Sequence, residues 1–262
     1  MAQVLAVSDG DGVRTLTLNR PDAFNSLTVE LKEALLTALV EAAADEGVRA
    51  VVLTGAGKAF CAGQDLKEHI ALLRADDPAP LRTVEEHYNP IVTAITTLPK
   101  PVIAAVNGMA AGAGASFAYA CDLRVAADSA RFLMAFAGVG LTADSGASWT
   151  LPRLIGYGRA MEMMLLGKPV DAAEALRIGM VNQVVPAAEV LPAALALATR
   201  MAAGPTTAYA KIKEALLASA GGPLADGLAV EGRTQGEAGA SADHREGVEA
   251  FVAKRTPNFT GR

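Results

Sequence analysis

The chain has 262 residues, a formal net charge of −5 at pH 7 and a sequence pI near 5.3. Because proteins that bind nucleic acids cluster Lys and Arg against phosphates, this charge balance argues against a nucleic-acid partner. Hydrophobic residues make up 52% of the sequence and charged residues 19%. This composition predicts a globular protein with a buried core, built as one large α/β domain or two small ones.

The cysteine content and the apolar runs of the sequence bear on its compartment. Cys61 and Cys121 are too few for a disulfide framework, and no Cys/His cluster has the spacing of a zinc site. The N-terminal residues lack the basic flank and apolar run of a signal peptide, and no stretch reaches the ~18 apolar residues of a membrane span. We therefore expect a cytoplasmic protein that binds neither a metal ion nor a membrane.

The first elements predicted along the chain are two strands, a helix and a third strand. Alternating apolar residues predict a hairpin of strands at 4–7 and 13–18, joined by a turn-rich loop at 8–12. Apolar residues at helical spacing predict a helix that begins at Thr28 and ends near Asp45. A buried strand is predicted over 48–54.

The middle of the chain repeats this alternation, and its last quarter does not. Strands are predicted at 101–106 and 123–127, and helices at 112–120 and from 147 onwards, with Trp149 in the core. Alternating strands and helices predict an α/β architecture. After about residue 187 we expect only helices, over 187–203, 206–219 and 242–253, with Gly221-Gly-Pro223 between two of them. The segment 74–80 is expected to be a mobile surface loop.

Two turns rich in small residues are candidates for a ligand site. The segment 54–66 leaves a predicted strand, passes through three glycines and enters a helix, and the segment 107–116 is similarly rich in Gly and Ala. Such turns expose backbone amides, but the first lacks the spacing of a P-loop or of a G-x-G-x-x-G motif. Taken alone, it is best interpreted as a tight strand-to-helix connection.

Asp144 is the only carboxylate in the segment 138–149 and precedes a predicted helix. One acid beside exposed amides is typical of proton transfer next to a stabilised oxyanion. A purely structural alternative is that Asp144 caps the helix, because Asp often accepts the free amides of a first turn.

Several motifs in order along the chain resemble the crotonase superfamily, also called the enoyl-CoA hydratase/isomerase family. These motifs are Leu18-Asn-Arg-Pro21, Phe60-Cys-Ala-Gly-Gln-Asp-Leu66, the stretch 100–116, Cys121-Asp-Leu123 and Leu151-Pro-Arg-Leu-Ile-Gly156. The resemblance implies an α/β spiral of ββα repeats over residues 1–200 and an α-helical C-terminal region over 201–262 that builds trimers or hexamers.

The resemblance also implies positions for an oxyanion hole and a substrate pocket. It places the two backbone amides that hold the thioester oxygen at Ala62 and Ala113, the second near a helix start that favours an anion. Without the resemblance, both alanines would be interpreted as permitting close helix packing. Substrate contacts are implied for the following residues: Phe60, Gly63, Gln64, Asp65, Leu66, Gly112 and Phe136.

The acid–base groups distinguish subgroups of this family. The two glutamates that hydratases use correspond to Ser116 and Phe136, neither of which can act as that carboxylate. Asp144 instead resembles the catalytic aspartate of members that isomerise, most of all the ring-1,2-epoxyphenylacetyl-CoA isomerases of phenylacetate degradation. The sequence departs from that subgroup at Thr142-Ala143 and Ser145, next to the aspartate.

The resemblance predicts an acyl-CoA isomerase whose substrate carries the coenzyme A and which needs no further cofactor. The reaction is a 3-enoyl-CoA to 2-enoyl-CoA shift, as in fatty acid metabolism, or conversion of a ring-epoxyphenylacetyl-CoA to its oxepin isomer. Alternatives are an enoyl-CoA hydratase, an aryl-CoA dehalogenase and a catalytically silent CoA-ester-binding protein. Arg20, Lys67 and Lys254 are candidates for contact with CoA phosphates, whereas the three histidines are expected to be solvated.

Overall fold

The computed structural model describes residues 3–262; residues 1 and 2, at the start of the predicted first domain, lie outside this range. The strands are β1 (Leu5–Gly10), β2 (Val13–Leu18), β3 (Ala50–Gly55), β4 (Ala59–Cys61), β5 (Val102–Val106), β6 (Met109–Ala111), β7 (Leu123–Ala127), β8 (Arg131–Leu133), β9 (Val170–Asp171) and β10 (Gln183–Val185). The α-helices are α1 (Val29–Ala44), α2 (Leu66–Arg74), α3 (Asn89–Thr97), α4 (Ala113–Ala120), α5 (Ala147–Ile155), α6 (Tyr157–Leu166), α7 (Ala172–Arg177), α8 (Val190–Ala202), α9 (Thr206–Ser219), α10 (Leu224–Gly239) and α11 (Ala242–Ala253).

The larger sheet has six strands in the order β1-β2-β3-β5-β7-β10. β1 and β2 form the predicted antiparallel hairpin, and the other neighbours pair in parallel. The central strands β3 and β5 are buried along their whole length, as expected of parallel strands covered on both faces. The predicted strands therefore all belong to the larger sheet.

A second sheet of four short strands, β4-β6-β8-β9, was not predicted. Each of its members has two or three residues, which is too short for a recognisable alternation of polar and apolar side chains. Three times in succession the chain adds one strand to the larger sheet, one to the smaller sheet and then a helix: β3-β4-α2, β5-β6-α4 and β7-β8-α5. The predicted spiral of ββα repeats is confirmed.

Helix α1 forms where the sequence predicts it because both of its ends are marked. The Thr28 hydroxyl accepts a hydrogen bond from the amide of Leu31, and the chain leaves the helix at Asp45. Its buried face includes Leu31, Leu35 and Leu39, which recur at helical spacing. Lys32 is also fully buried there, a charged residue that the apolar pattern does not explain.

Helix α4 is buried on every side, and its small side chains let it pack closely against β4, β6, α3 and α5. The closest approach is at Gly114, where a Cβ atom would lie 2.7 Å from the Sγ of Cys61 and closer still to the carbonyl oxygen of Cys61. Because β4 and α4 carry the two small-residue turns, this contact fixes the distance between those turns.

Replacing Gly114 by alanine is therefore expected to destabilise the protein. The added methyl group would push α4 away from β4, and overpacking of this kind costs roughly 1–3 kcal/mol of unfolding free energy. Denaturant unfolding measures the loss, with Gly158→Ala as the control because nothing lies within 4 Å of a Cβ at that helical position. Equal unfolding free energies for the two variants would contradict this packing.

The C-terminal quarter is helical, as predicted, but contains one helix more. α8, α9 and α11 correspond to the predicted helices, whereas α10 was missed because it contains four glycines and buries only Gly227 and Thr234. Gly221-Gly-Pro223 thus separates α9 from α10. α8 packs on the larger sheet, whereas α9 and α10 pack chiefly on each other. α9 is also joined to the core by an ion pair between Lys213 and Asp122.

The prediction that Trp149 belongs to the core is wrong. α5 buries the face that holds Ala147, Leu151 and Ile155, and Trp149 lies on another face, 40% exposed, with the guanidinium of Arg153 4.0 Å from its ring centroid. No helix within residues 3–262 is both long and apolar enough to cross a membrane.

Candidate active site

A cavity of about 800 Å³ lies where the two small-residue turns meet the segment that carries Asp144. The residues predicted for the site that line it are Ala62, Gly63, Gln64, Asp65, Leu66, Gly112, Ala113, Phe136 and Asp144. Phe60 does not line it: its side chain is fully buried in β4, so the predicted substrate contact of Phe60 is wrong and its role is core packing. The fold thus gathers segments that are far apart in sequence, from Arg20 to Asp144, around one cavity.

The first turn does not present the amide that the sequence predicted. The N–H of Ala62 donates a hydrogen bond to the carbonyl oxygen of Phe24 at 3.0 Å, so it is not available to a ligand. The prediction that Ala62 supplies an oxyanion-hole donor is therefore contradicted. The Ala62 amide instead binds the loop that contains Phe24. The sequence around Ala62 gives no sign of this hydrogen bond.

Gln64, two residues further on, has the free amide. Gln64 forms an isolated parallel bridge with Leu27, in which the amide of Leu27 donates to Gly63 and the amide of Asp65 donates to Leu27. Because backbone groups alternate sides along an extended segment, the N–H of Gln64 points away from Leu27. It has no acceptor anywhere in residues 3–262, and Gln64 lines the cavity.

The second turn presents the amide of Ala113. Gly112 adopts φ 51°, a conformation that favours glycine, and α4 begins immediately after it at Ala113. The N–H of Ala113, at the start of α4, has no acceptor in residues 3–262, and the helix dipole there also favours an anion. A Cβ on Gly63 would lie 3.5 Å from the nitrogen of Ala113, so the two turns are in direct contact.

Asp144 lies in the same cavity and its carboxylate forms no ion pair within the described part of the chain. Burial raises the pKa of Asp144, and a hydrogen bond from the Ser145 hydroxyl to Oδ1 at 2.8 Å opposes that rise. α5 begins at Ala147 with Gly146 as its capping residue and no side-chain cap. The alternative that Asp144 is a helix cap is therefore excluded, and its carboxylate is free for other chemistry.

The two positions where hydratases carry glutamates hold no carboxylate. Ser116 is fully buried, and its hydroxyl donates to the carbonyl oxygen of Gly112 at 3.0 Å, as expected of a helix residue satisfied by backbone. Phe136 lines the cavity, with its ring 3.8 Å from where a Cβ on Gly112 would stand. Asp144 is the side chain at this end of the cavity that can accept a proton.

Asp65 also lines the cavity, but its carboxylate is occupied. It accepts hydrogen bonds from Arg20 and Ser26 at 2.9 Å each and caps α2 through the amides of Lys67 and Glu68. Burial would raise the pKa of Asp65, but the Arg20 and Ser26 hydrogen bonds outweigh burial and the pKa is lowered. Asp65 is a structural anion that fixes the start of α2.

Some of the charged and polar candidates for substrate contact line the cavity, and others do not. Arg20, Lys67 and His69 line the cavity, whereas Lys254 does not and lies at the end of α11. The prediction that His69 is a solvated surface residue is wrong, because its Nδ1 is buried and has no partner in residues 3–262. Within residues 3–262, no group of three His, Cys, Asp or Glu side chains lies close enough together to hold a metal ion.

A smaller cavity of about 390 Å³ adjoins the first, and Leu81, Leu141 and Asp144 line both. Its other lining residues include Val84 and Asn89, from the segment that enters α3. Asp144 therefore stands where one space passes into the other. An acyl group that extends from the two free amides into the smaller cavity would pass the carboxylate.

Replacing Ser145 by alanine is expected to move the pH dependence of turnover. The Ser145 hydrogen bond lowers the pKa of Asp144, so its loss raises that pKa, and a base that must be ionised then loses activity at a higher pH. We expect the acid limb of kcat/KM to move up by roughly 1 pH unit, with little change on the alkaline side. A profile unchanged from that of the unmodified protein would show that Asp144 is not the group that titrates.

A family model described as enoyl-CoA hydratase/isomerase matches residues 8–262. The chain is 46% identical to a probable enoyl-CoA hydratase of Rhodobacter capsulatus and 45% identical to the 1,2-epoxyphenylacetyl-CoA isomerase of Escherichia coli K12, covering 96% of each chain in both cases. The chain belongs to the enoyl-CoA hydratase/isomerase family. Among solved structures, an enoyl-CoA hydratase/isomerase from Mycobacterium abscessus superposes with a TM-score of 0.95 at 46% identity, covering 98% of this chain and 100% of that one.

Membership in this family makes the protein an enzyme that acts on acyl-CoA thioesters, and the predicted crotonase resemblance is confirmed over nearly the whole chain. Relatives of similar identity carry the names of both hydratases and isomerases. The choice between the two reactions therefore depends on the residues of this cavity.

Proposed function

We propose that the protein is an acyl-CoA isomerase in which Asp144 moves a proton beside the thioester. The observation that carries this proposal is the isolation of Asp144: it is the cavity carboxylate whose pKa is raised by burial, while Asp65 is ion-paired and the hydratase positions are Ser116 and Phe136. A raised pKa suits a general base that works near neutral pH.

The proposed oxyanion hole consists of the amides of Gln64 and Ala113, with Gln64 in place of Ala62. Neither N–H group has an acceptor in the described part of the chain, and both residues line the cavity. The contact between Gly63 and Ala113 brings their turns together. When Asp144 removes a proton from the carbon next to the thioester, negative charge develops on the thioester oxygen. The two amides stabilise that enolate, and each such donor contributes about 3 kcal/mol in comparable sites.

The proton then returns to a carbon two positions away, which converts a 3-enoyl-CoA to a 2-enoyl-CoA. Asp144, now protonated, acts as the acid that donates this proton. The cycle is therefore redox-neutral and consumes no water. Coenzyme A enters as part of the substrate, and the reaction requires no further cofactor. Arg20 and Lys67, on the cavity wall, are the cations proposed to approach the CoA phosphates.

A ring-epoxyphenylacetyl-CoA is the second substrate class that we propose, with the oxepin isomer as product. The support is the 45% identity to the Escherichia coli 1,2-epoxyphenylacetyl-CoA isomerase together with an aspartate and an aromatic residue, Asp144 and Phe136, in this cavity. The smaller cavity beyond Asp144 offers room for a ring. Phenylacetate degradation is the pathway that this substrate would imply.

Product analysis on a panel of thioesters tests the proposal. The purified protein is mixed separately with a 3-enoyl-CoA, a 2-enoyl-CoA, a ring-epoxyphenylacetyl-CoA and a 4-halobenzoyl-CoA, and each product is resolved by chromatography and mass. A mass-neutral product from the first or third substrate supports an isomerase. A product heavier by one water from the 2-enoyl-CoA would assign a hydratase, loss of halide a dehalogenase, and no turnover of any substrate a silent CoA-ester-binding protein.

We also propose that the protein assembles as a trimer or as a hexamer of two trimers. The C-terminal helices expose large apolar side chains: Leu216 in α9, Leu224 and Leu228 in α10, and Phe251 and Val252 in α11, each more than half exposed in the single chain. Such surfaces are typical of subunit contacts. Light scattering is expected to give three or six times the chain mass of 26.8 kDa, and a mass equal to one chain would contradict the assembly. A cytoplasmic location stays a prediction.

A further inference from the structure

The loop of residues 20–27, between β2 and α1, binds the turn that carries the Gln64 amide. The carbonyl oxygen of Phe24 accepts a hydrogen bond from the amide of Ala62 at 3.0 Å. Leu27 bridges Gln64 through the backbone groups of the two residues that flank Gln64, at 2.8 and 3.2 Å. The loop thus binds the turn on both sides of Gln64 and leaves the Gln64 amide without an acceptor in residues 3–262.

This loop contains two successive residues in the left-handed region of backbone conformation. Phe24 has φ 51° and Asn25 has φ 57°. Residues other than glycine adopt this region rarely, and asparagine tolerates it better than most. Such a conformation persists only where the surrounding structure holds it, and it occurs often at functional sites. The left-handed pair follows the short 3₁₀ helix Pro21–Ala23 and lets Phe24 and Leu27 contact the same turn.

The side chain of Asn25 holds the left-handed pair in place. Its Oδ1 accepts from the amide of Arg20 at 2.9 Å, and its Nδ2 donates to the carbonyl oxygens of Ala56 and Ala59 at 2.9 and 2.8 Å. Asn25 is fully buried, and a Cβ atom on Gly55 would lie 2.7 Å from Nδ2. The side chain therefore ties the loop to the connection between β3 and β4, with all of its hydrogen-bonding groups in use.

We propose that Asn25 is a positioning residue for the oxyanion hole. Its side chain holds the loop so that Phe24 takes up the amide of Ala62, and the amide of Gln64 stays available to the thioester oxygen. This assignment deepens the proposed function, on which it rests for the thioester substrate. A donor that is fixed before the substrate arrives stabilises developing charge without reorganisation during the reaction.

The other side chains that bind this loop act on the far side of Gln64. The guanidinium of Arg20 and the hydroxyl of Ser26 each donate to the Asp65 carboxylate at 2.9 Å, and Asp65 caps α2. These bonds fix the residue after Gln64 and the start of the helix. The bonds of Asn25 fix the part of the loop that binds the residues before Gln64, so the two sets have separate effects.

Two ligands that cannot isomerise test the assignment: hexanoyl-CoA and the thioether S-hexyl-CoA, which lacks only the thioester oxygen. Calorimetry with the full chain measures both dissociation constants. The unmodified protein is expected to bind hexanoyl-CoA roughly 5–10-fold more tightly, because two amides hold its oxygen. Asn25→Ala is expected to lose most of this preference and to bind S-hexyl-CoA as before. Its kcat with a 3-enoyl-CoA should fall by roughly 10–100-fold.

Asn107→Ala is the matched control. The Asn107 side chain donates to the carbonyl oxygens of Gly57 and Ala59 at 3.0 and 3.2 Å, so it binds the same connection between β3 and β4, but it forms no hydrogen bond with the loop 20–27. We expect this variant to keep the preference for the thioester. Asn25→Gly is a second test variant, because glycine accepts φ 57° without strain and lacks the same side-chain bonds. It should lose the preference as Asn25→Ala does.

A thioester preference that persists in either folded Asn25 variant, or that is lost equally in Asn107→Ala, would overturn the assignment. Failure of both Asn25 variants to fold would overturn it too, because Asn25 would then serve the whole fold and not the turn. Equal affinities of the unmodified protein for the two ligands would remove the oxyanion hole itself. Because binding needs no turnover, a preference lost only in the Asn25 variants supports the role of Asn25 even if Asp144→Asn stays active and the proposed isomerase chemistry fails.

Discussion

Asp144→Asn is expected to lower kcat for isomerisation by roughly 10²–10⁴-fold, the range over which general-base catalysis acts. Asparagine keeps the size of the side chain and the hydrogen bond from Ser145 but cannot take up a proton. KM should change little, because the thioester oxygen and the CoA moiety are held by other groups. Steady-state kinetics with a 3-enoyl-CoA measures both constants.

The thermal stability of Asp144→Asn shows whether lost activity comes from the missing base or from a damaged fold. The folded state raises the pKa of Asp144, so its contribution to stability is present at low pH and lost as pH rises through the folded pKa. Removing the carboxylate removes that loss, and Asp144→Asn should therefore melt no earlier than the unmodified protein at pH 7. Lost activity together with a lower melting temperature would point to a damaged fold instead of a missing base.

Asp65→Asn is the matched control for Asp144→Asn. Asp65 lies in the same cavity, but its carboxylate serves Arg20, Ser26 and the first turn of α2. We expect this variant to melt earlier and to keep its proton-transfer step. A loss of kcat as large as that of Asp144→Asn would contradict the division of roles between the two carboxylates.

Ala113→Pro is expected to lower kcat by roughly 10²–10³-fold, the usual effect of removing one oxyanion donor. Ala113 is the first residue of α4, a position where proline is tolerated because the N–H has no partner in the helix. The substitution therefore removes the amide hydrogen without removing a hydrogen bond of the fold. Kinetics with a 3-enoyl-CoA and the melting temperature are measured together.

Ala113→Ser supplies the control, because it changes the side chain and keeps the N–H. We expect it to retain most of the activity. If Ala113→Pro turned over substrate at the rate of Ala113→Ser, the amide of Ala113 would not contact the developing charge.

The larger sheet and most helices could be predicted because long elements carry their own signals. The cap at Thr28 and the apolar spacing of Leu31, Leu35 and Leu39 define α1 without reference to the rest of the molecule. The second sheet has strands of two or three residues, whose pairing depends on contacts between distant segments. α10 was not predicted because its glycines oppose helix formation. The helix is stabilised by packing on α9, which its own sequence does not show.

The site was predicted less completely, for a physical reason. Asp144 stands out in its own segment as a lone acid before a predicted helix, whereas Ala113 was predicted only from the family resemblance. Which amide of the first turn is free depends on what lies across from it: Phe24 accepts from Ala62, and the bridge to Leu27 turns the Gln64 amide outward. His69 likewise has a buried Nδ1 without a partner in residues 3–262 only because of tertiary packing.

Turnover of a 3-enoyl-CoA in heavy water, with the unmodified protein and Asp144→Asn side by side, tests the central claim most directly. The account predicts a 2-enoyl-CoA product that carries solvent deuterium and no added water, and it predicts that both isomerisation and deuterium uptake are lost in Asp144→Asn. Deuterium uptake that persists in the variant, or a product heavier by one water, would contradict Asp144 as the base of an isomerase.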